Sequence, residues 1–391
     1  MKIIKTLCLI VLCTSSLLAS RFYLDPNQGD LANSGTMISP WPSLEEVIDA
    51  GYIMSQRYSP LPYNSETSDL IIRNPDGIVG AGDTLILMDG LHGSVFLLGY
   101  INQMPITVMG MDGHSPVVEY IHLRACKNWR FENIEVSSEP YGYYLNGRLC
   151  FVESHSWHGP SSHVEILGCE MYSAAEPWET AEEWSEKVSS GLYIIGDSVT
   201  VLNNVLRNIG FGITATGDYI VASRNRIVNF SGDGMRLLGS HQVFSYNLIK
   251  NCYDINENHD DGIQSWAQIN GIVADDNQLI GNIIINTDDT ERPLNGPLQG
   301  IGCFDGFYNR WRVENNLVLV DHWHGITFLG ANDCQIVNNT VIDLTPDMTP
   351  GASWIRVADH KNGTASAGCL VANNVANSFH VDANTSNNVI L

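Results

Sequence analysis

The sequence predicts an all-β fold: a right-handed parallel β-helix, or solenoid, with an N-terminal cap. Two observations predict the solenoid. A glycine recurs before an apolar residue in successive β-rich runs, and an asparagine column recurs in register with those glycines. A length of 391 residues allows two or three average domains, but one elongated domain is equally compatible with it. We expect residues 21–391 to form a single β-helix domain.

Residues 1–20 have the pattern of a secretory signal peptide. Lys2 and Lys5 precede an apolar run that extends to Leu18, and small residues end the segment. The run is too short for a membrane anchor, and nothing similar follows it. We therefore expect a secreted or periplasmic protein with no stable membrane insertion.

The earlier coils are less regular than the later ones. Segments such as "GDTLILMDGLHG" and "SSHVEILGCEMYS" are β-rich and fit first turns of the same solenoid. The segment "AAEPWETAEEWSEKV", residues 174–188, interrupts this pattern. Its charge and tryptophan spacing predict a short helix or a long loop that projects from the coil.

The glycine column begins at residue 191. Its first spacings, 21 and 22 residues, are typical of a solenoid, and the later 28, 38 and 25 indicate the same unit with insertions. The column consists of Gly191, Gly212, Gly234, Gly262, Gly300 and Gly325. The apolar residues that follow should form one inward stack: Leu192, Ile213, Met235, Ile263, Ile301 and Ile326.

The asparagine column confirms the repeat register. It lies 13 residues after the glycine in three successive units, and stacked asparagines suit turns because they tolerate left-handed backbone. Its leading members are Asn204, Asn225, Asn247, Asn282 and Asn339, with Asn316 and Asn374 as weaker members. A β-propeller or sandwich is disfavoured, because the hairpin signals of those folds are missing from the sequence.

Composition restricts the classes of partner and the role of the cysteines. The net charge of −23 argues against nucleic-acid binding, which depends on basic side chains. A polyanionic substrate would need a locally basic groove or bound cations. Cys8 and Cys13 fall in the signal segment, and the other seven cysteines form no CxxC pair. We expect mainly buried thiols in a monomeric protein.

The mature N-terminus carries a resemblance to a known group of proteins. "FYLDPNQGD…SGTMISPWPSLEEVI" is similar to the start of many secreted β-helix proteins that act on polysaccharides, and "NN-x-V" and "DGIQ" resemble repeats of the pectate-lyase-like superfamily. The resemblance implies a strand and a capping helix within residues 21–60. It also implies a polysaccharide substrate and one of several reactions, among them lyase, C5-epimerase and hydrolase chemistry.

Two columns of the repeat are expected to face outwards. Parallel strands lie about 4.8 Å apart, so successive members should line neighbouring rungs. Two residues after each glycine, and at the equivalent position of "SWIRV", come Tyr193, Thr214, Arg236, Gln264, Gly302, Thr327 and Arg356. Immediately before each glycine come Ser190, Phe211, Asp233, Asp261, Gln299 and His324. Their later members form a polar strip of mixed charge.

The loops predict a site at the same place. The links 208–212 and 229–234 span 4 and 5 residues, whereas 251–262 and 286–300 span 11 and 14. Long loops at one corner of consecutive coils should form a wall beside the strip, and functional residues are commonly found on such loops.

These residue types suit β-elimination in a uronic-acid glycan. Arg236 or Arg356 would neutralise the uronate carboxylate, and His259 would act as base or acid. The resemblance implies that an arginine or lysine, such as Lys361, serves as base in related lyases. The candidate catalytic residues are His259, Asp261, Arg236 and Asp233. The candidate substrate-binding residues are Gln264, Gln299, His322, His324, Arg356, Lys361 and Trp266.

Other functions use the same residues differently. Asp233, Asp260 and Asp261 could serve as the acid and base of a glycoside hydrolase, or could bind Ca²⁺ through their carboxylates. "NHDD" at 258–261 keeps the His-Asp of an alginate-epimerase motif but lacks its Asp-Pro. A non-catalytic glycan-binding adhesin is a further alternative. Each aspartate also has a simple structural interpretation, because Asp before Gly is common in turns.

Overall fold

The computed structural model describes residues 19–266 and 273–391, so the predicted signal segment lies largely outside the described residues. Within them, three long sheets of parallel strands run the length of the molecule, and each coil contributes a strand to sheet 3, then sheet 1, then sheet 2. This arrangement confirms the right-handed parallel β-helix.

The strands of each sheet follow in coil order. Sheet 1 contains Arg21–Leu24, Thr84–Leu87, Ile101–Gly110, Lys127–Glu132, Ser162–Leu167, Thr200–Leu202, Val221–Ser223, Val243–Ser245, Gln278–Ile280, Arg312–Glu314, Gln335–Val337, Leu370–Ala372 and Asn384–Ser386, and the antiparallel pair Ser55–Ser59 and Asp69–Arg73. Sheet 2 contains Gly90–Leu91, Pro116–Val118, Glu135–Val136, Glu170–Tyr172, Val205–Ile209, Arg226–Phe230, Leu248–Cys252, Ile283–Ile285, Leu317–Leu319, Thr340–Ile342, Val375–Ala376 and Val389–Ile390. Sheet 3 contains Val95–Leu98, Ile121–Arg124, Arg148–Glu153, Ser190–Ile195, Ile213–Ala215, Met235–Leu237, Asp260–Trp266, Leu298–Asp305, His324–Leu329, Trp354–Ala358 and Ser378–Val381. A small sheet contains Val273–Asp275, Phe307–Asn309 and Ala331–Asn332.

The helices are short. The first, Leu44–Asp49, begins after the "PW-x-S" segment with a capping box between Ser43 and Glu46, and it buries Leu44 and Val47 in the main core. The second, Ala181–Lys187, lies in the segment that interrupts the repeat, and a 3₁₀ turn covers Glu139–Tyr141. In the described parts of the chain, no helix has the length and apolarity needed to cross a membrane.

The predicted inward stack is confirmed. Leu192 pairs with Ile213, and the register continues through Met235, Ile263, Ile301 and Ile326, all of them buried. The seven cysteines within the described residues are free and buried, as expected for small core residues.

The glycine column is explained by space in the core. A Cβ built on Gly262 would lie 2.5 Å from Ile284 Cγ2, and one on Gly300 would lie 2.5 Å from Val318 Cγ1. Both contacts are too short for carbon atoms, so a side chain here would clash with sheet 2. The glycines therefore allow the corner between sheets 2 and 3 to close tightly.

The asparagine column forms a buried hydrogen-bonded ladder between sheets 1 and 2. The Asn225 side-chain oxygen accepts from the backbone N–H and the side-chain amide of Asn204, both at 3.0 Å, and the next rung repeats this pattern. The ladder continues through Asn247, Asn282, Asn316, Asn339 and Asn374 to Asn388. Its structural role is thereby confirmed.

Candidate functional site

The outward column lies on sheet 3 in the predicted register. Tyr193 pairs with Thr214, and the pairing continues through Arg236, Gln264, Gly302 and Thr327 to Arg356. Asp261 pairs with Gln299 on the neighbouring coil. The fold therefore brings the predicted polar residues to one sheet. The expectation that the column before the glycines faces solvent is wrong for Asp233, Asp261 and Gln299, which are buried beneath neighbouring side chains and loops.

A hydrogen-bonded group centres on the Asp261 carboxyl, which is fully buried. Asp261 Oδ2 lies 3.3 Å from His259 Nδ1 and accepts from Gln264 Nε2 at 3.0 Å. Burial raises the pKa of Asp261, and its hydrogen bond raises the pKa of His259. Because the side chain of His259 is 61% exposed, its other ring nitrogen is available to a ligand.

Asp233 and Arg236 form a second charged unit beside this group. Arg236 Nε donates to Asp233 Oδ2 at 2.5 Å, and Asp233 Oδ1 accepts from the Asp261 backbone N–H at 3.0 Å. The Arg236 guanidinium lies 3.7 Å from the ring centre of Phe211 and 5.3 Å from that of Trp266. Burial raises the pKa of Asp233 although Arg236 opposes the shift. The pair fixes the backbone from which the Asp261 side chain extends.

Gly302 makes room for the Asp261 carboxyl. A Cβ at Gly302 would lie 2.3 Å from Asp261 Oδ1 and 2.5 Å from Phe304 Cε2. Asp261 Oδ1 is buried and has no hydrogen-bond partner among the described residues. The glycine in the outward column is thus required by the position of the carboxyl on the preceding coil.

A cleft of about 330 Å³, which we call the main cleft, opens on the same face. It is lined by His259, Gln299, Phe304, His324, Thr327, Leu329, Arg356 and Lys361. None of these described lining residues carries a carboxylate, whereas two carry a permanent positive charge. The cleft is therefore suited to an anionic ligand.

The two cations of the cleft differ in their partners. Lys361 Nζ forms an exposed ion pair with Asp305 at 2.7 Å. Arg356 forms no ion pair within the described residues, and its buried Nε has no hydrogen-bond partner among them. Asp359, three residues further along the chain, accepts from the Ser366 backbone N–H and forms no ion pair with Arg356 among the described residues. Arg356 thus presents an uncompensated guanidinium to the cleft.

The two histidines of "DHWHG" are in different positions. His324 lines the main cleft, and its Nδ1 lies 3.0 Å from Thr327 Oγ1. His322 lines an adjoining recess of about 260 Å³, which His259 and Gln299 also border. Burial lowers the pKa of both imidazoles to about 4, so both are neutral at pH 7.

The long loops form a packed wall beside the cleft. Arg292, from the loop before Leu298–Asp305, donates to the Cys252 carbonyl and lies 4.6 Å from the Tyr253 ring centre. The Asp254 backbone N–H donates to the Leu294 carbonyl at 2.9 Å. The segment that carries His259 is therefore supported by the loop of the next coil.

The three aspartates expected to bind Ca²⁺ are occupied by other partners. Asp260 Oδ2 accepts from the buried Cys252 thiol at 3.4 Å, while Asp233 is bonded to Arg236 and to backbone. Over residues 19–266 and 273–391, no group of three or more His, Cys, Asp or Glu side chains is arranged to hold a metal ion. These donors do not fit the expected calcium site.

Sequence reasoning missed several residues of the cleft. Phe304 and Leu329 continue the outward alternation of their strands, so following each strand two residues beyond the column would have found them. Trp354 lies beside the cleft without lining it: it is paired with His324, donates from Nε1 to Thr327 Oγ1 at 3.0 Å, and stacks on Trp323 at 6.0 Å between ring centres. Its signal was its place in "SWIRV", two residues before Arg356.

No protein-family model matches the chain, and no curated protein matches it. Solved structures do match. A lacto-N-biosidase from Eubacterium ramulus is 12% identical with a TM-score of 0.50, covering 95% of this chain and 68% of that chain. What they share is the fold.

Two further solved structures are similar over most of their length. A rhamnogalacturonan lyase is 12% identical with a TM-score of 0.49, covering 95% of this chain and 87% of that chain. The A-module of a mannuronan C-5 epimerase from Azotobacter vinelandii is 12% identical with a TM-score of 0.48, covering 80% of this chain and 90% of that chain. The likeness of the chain to solved structures is one of fold, a parallel β-helix.

Proposed function

We propose that this protein is an enzyme that cleaves a uronic-acid-containing polysaccharide by β-elimination. The observation that carries the proposal is the composition of the main cleft, whose described lining includes a histidine bonded to a buried carboxyl and two cations but no carboxylate. Polysaccharide lyases, hydrolases and an epimerase occur among proteins with the same fold.

Arg356 is the group that best suits the uronate carboxylate. Proton abstraction at C5 generates negative charge that is delocalised into this carboxylate, so a fixed cation stabilises the transition state more than the ground state. A guanidinium can bind both carboxylate oxygens at once. Since Arg356 has no ion-pair partner within the described residues, binding requires no other pair to break.

His259 is the proposed proton-transfer residue. Its Nδ1 faces Asp261, which leaves Nε2 to take the C5 proton. The C5–H electron pair forms the C4=C5 double bond as the C4–O4 bond breaks. The proton on Nε2 then passes to the departing O4, so His259 returns to its starting state. Asp261 acts through His259 as a positioning residue and stabilises the imidazolium.

Hydrolysis is the second candidate, because Asp260 and Asp261 both have raised pKa values. A hydrolase needs two carboxyl groups on either side of the glycosidic bond. Asp260 instead faces Cys252 in the interior, and Asp261 is buried behind His259. The geometry therefore favours elimination over hydrolysis.

The test is a panel of uronic-acid and neutral polysaccharides, with and without chelator. Elimination gives a product with a C4=C5 bond conjugated to the carboxylate, which absorbs in the ultraviolet. His259→Asn should abolish that absorbance while leaving the melting temperature unchanged. His163→Asn, at an exposed histidine on sheet 1, is the matched control and should retain full activity.

Other outcomes would contradict the proposal. New reducing ends without ultraviolet absorbance would indicate a hydrolase, and altered sugar stereochemistry without cleavage would indicate an epimerase. Binding without turnover of any glycan would indicate an adhesin.

We also propose that the protein is exported, because residues 1–20 have the charged, apolar and small-residue segments of a signal peptide. N-terminal sequencing of the protein from its native cell should then begin near residue 21. An intact Met1 on the mature protein would contradict export by this route.

A further inference from the structure

A second cleft lies on sheet 3, several coils before the candidate site. Its volume is about 550 Å³, larger than that of the main cleft, and its lining includes His122, Arg124, Arg148 and Phe151. These side chains come from the strands Ile121–Arg124 and Arg148–Glu153. Neither strand contributes to the candidate site.

The two clefts lie along one continuous column of side chains. Phe96 pairs with His122, His122 with Phe151, and Phe151 with Tyr193, at which the outward column of the repeat begins. Six rungs separate Phe151 from Thr327, which lines the main cleft, and they correspond to about 29 Å at the spacing of parallel strands. One extended ligand lying along the column would therefore reach both clefts.

The first four side chains of this extended column, which begins at Phe96, are aromatic rings. Their centres lie 5.1, 4.8 and 5.4 Å apart in the order Phe96, His122, Phe151, Tyr193. Phe96 is 43% exposed. A row of partly exposed rings at a groove offers apolar faces against which the C–H faces of sugars pack.

The charges in the second cleft leave a net positive balance. Glu153 accepts from both Arg124 and His122, at 2.6 and 2.7 Å, so one carboxylate already has its partners. Arg148 forms no ion pair among the described residues. Its guanidinium is exposed and lies 4.6 Å from the ring centre of Phe151 and 4.4 Å from that of Tyr193. On a chain of net charge −23, such an unpaired cation on an aromatic surface indicates an anionic ligand.

We infer that this second cleft is a distal subsite for an acidic polysaccharide, in which Arg148 pairs with a sugar carboxylate and the adjacent rings pack against sugar faces. This inference takes only the class of ligand, an acidic polysaccharide, from the proposed function. A chain that fills both clefts is held by more contacts than a short fragment bound only at the main cleft. The distal subsite thus selects long substrates.

The test compares long polyuronates with short oligouronates as substrates of the full-length protein. Arg148→Gln should raise KM for the polymer by about tenfold, the value of one charge-assisted contact, with kcat unchanged. It should leave KM for the short oligosaccharide unchanged, and Arg148→Lys should retain part of the polymer affinity. Arg226→Gln, an exposed arginine on sheet 2, is the matched control.

Direct binding of the same polymers, by affinity electrophoresis, separates this inference from the proposed reaction. Binding that depends on Arg148 without any cleavage would overturn the lyase proposal and retain the subsite. Cleavage with equal effects of Arg148→Gln on long and short substrates, or with none, would overturn the subsite. Failure to bind any polyuronate would also overturn it.

Discussion

At the scale of single residues, two neighbouring carboxyl groups are buried for different purposes. Asp261 supports an exposed histidine at the cleft, whereas Asp260 faces a buried thiol in the interior. Burial raises the pKa of both groups, because a buried carboxylate loses its hydration. Their neighbours, and not their local sequence, give them separate roles.

Asp261→Asn tests the support of His259. The hydrogen bond to Asp261 raises the pKa of His259, so its removal should shift the acidic limb of the pH–rate profile to lower pH. The rate should fall by roughly 10–100-fold, as for other residues that orient a reacting group. The measurement is kcat/KM against pH. An unchanged limb would show that Asp261 does not act through His259, and Asp347→Asn, at an exposed carboxyl, controls for net charge.

Asp260→Asn tests how much the buried Asp260 carboxyl lowers the free energy of unfolding when it is ionised. The pKa of Asp260 rises to about 7 on folding, against about 4 in an unfolded chain. The protonated Asp260 carboxyl therefore makes its full contribution to the free energy of unfolding below pH 4. That contribution is lost as the pH rises through 7. The free energy of unfolding of the asparagine variant should equal that of the parent near pH 4 and should exceed it at pH 8 by on the order of 2–4 kcal/mol. Urea unfolding at both values measures the difference, and equal stabilities at pH 8 would contradict it.

At the scale of elements, the inserted helix Ala181–Lys187 supports the site from outside the coil. Trp184 is fully buried, and its ring centre lies 5.2 Å from that of Trp178 and 4.6 Å from that of Tyr253. Tyr253 begins the loop that leads to His259, and Arg292 covers its ring. The insertion, this loop and the loop of the next coil thus share a small core of their own.

Trp184→Ala should loosen that support. Loss of a buried tryptophan commonly costs 3–5 kcal/mol, roughly, in the unit that it stabilises. Amide hydrogen exchange should therefore accelerate in residues 253–259, while the strand Ile121–Arg124 keeps its protection. Trp157→Ala, at a tryptophan that is 52% exposed, is the control. Uniform acceleration across the molecule would show that the insertion stabilises the whole coil instead.

The repeat allowed the sequence to predict the fold and much of the candidate site. Gly262, Ile263 and Gln264 each occupy a position that recurs on other coils, so their inward or outward direction followed from the register. Arg292 and Tyr253 lie in insertions that have no counterpart on other coils. Their contacts depend on how two loops pack, which periodicity does not report. For the same reason, the separation of Asp260 from Asp261 needed the structure.

At the scale of the whole molecule, stability is distributed along the coil. Each coil is bonded mainly to its two neighbours, as in other solenoids, and the asparagine ladder repeats the same bonds from Asn204 to Asn388. A break in the middle of this ladder should therefore cost more than a break at its end.

Asn282→Ala tests this distribution. Asn282 Oδ1 accepts two bonds from Asn247, and its amide donates to Phe244 and Asn316. Its loss leaves buried groups unpaired and should cost roughly 2–5 kcal/mol. Asn388→Ala, at the half-buried end of the ladder, should cost much less. Chemical denaturation of both variants measures the loss in free energy of unfolding. Equal losses would show that the contribution of a ladder asparagine does not depend on its position along the coil.

The one-residue-per-coil register on sheet 3 has a consequence for engineering. Because each coil adds a single outward residue to the column, the number of coils between the two clefts sets the length of ligand that can reach both. Insertion of one complete coil between Tyr193 and Thr214, which are direct partners, would separate the two clefts by one further step of about 4.8 Å. The preferred length of bound chain would then change in discrete increments, set by the number of coils and not by the residues of either cleft.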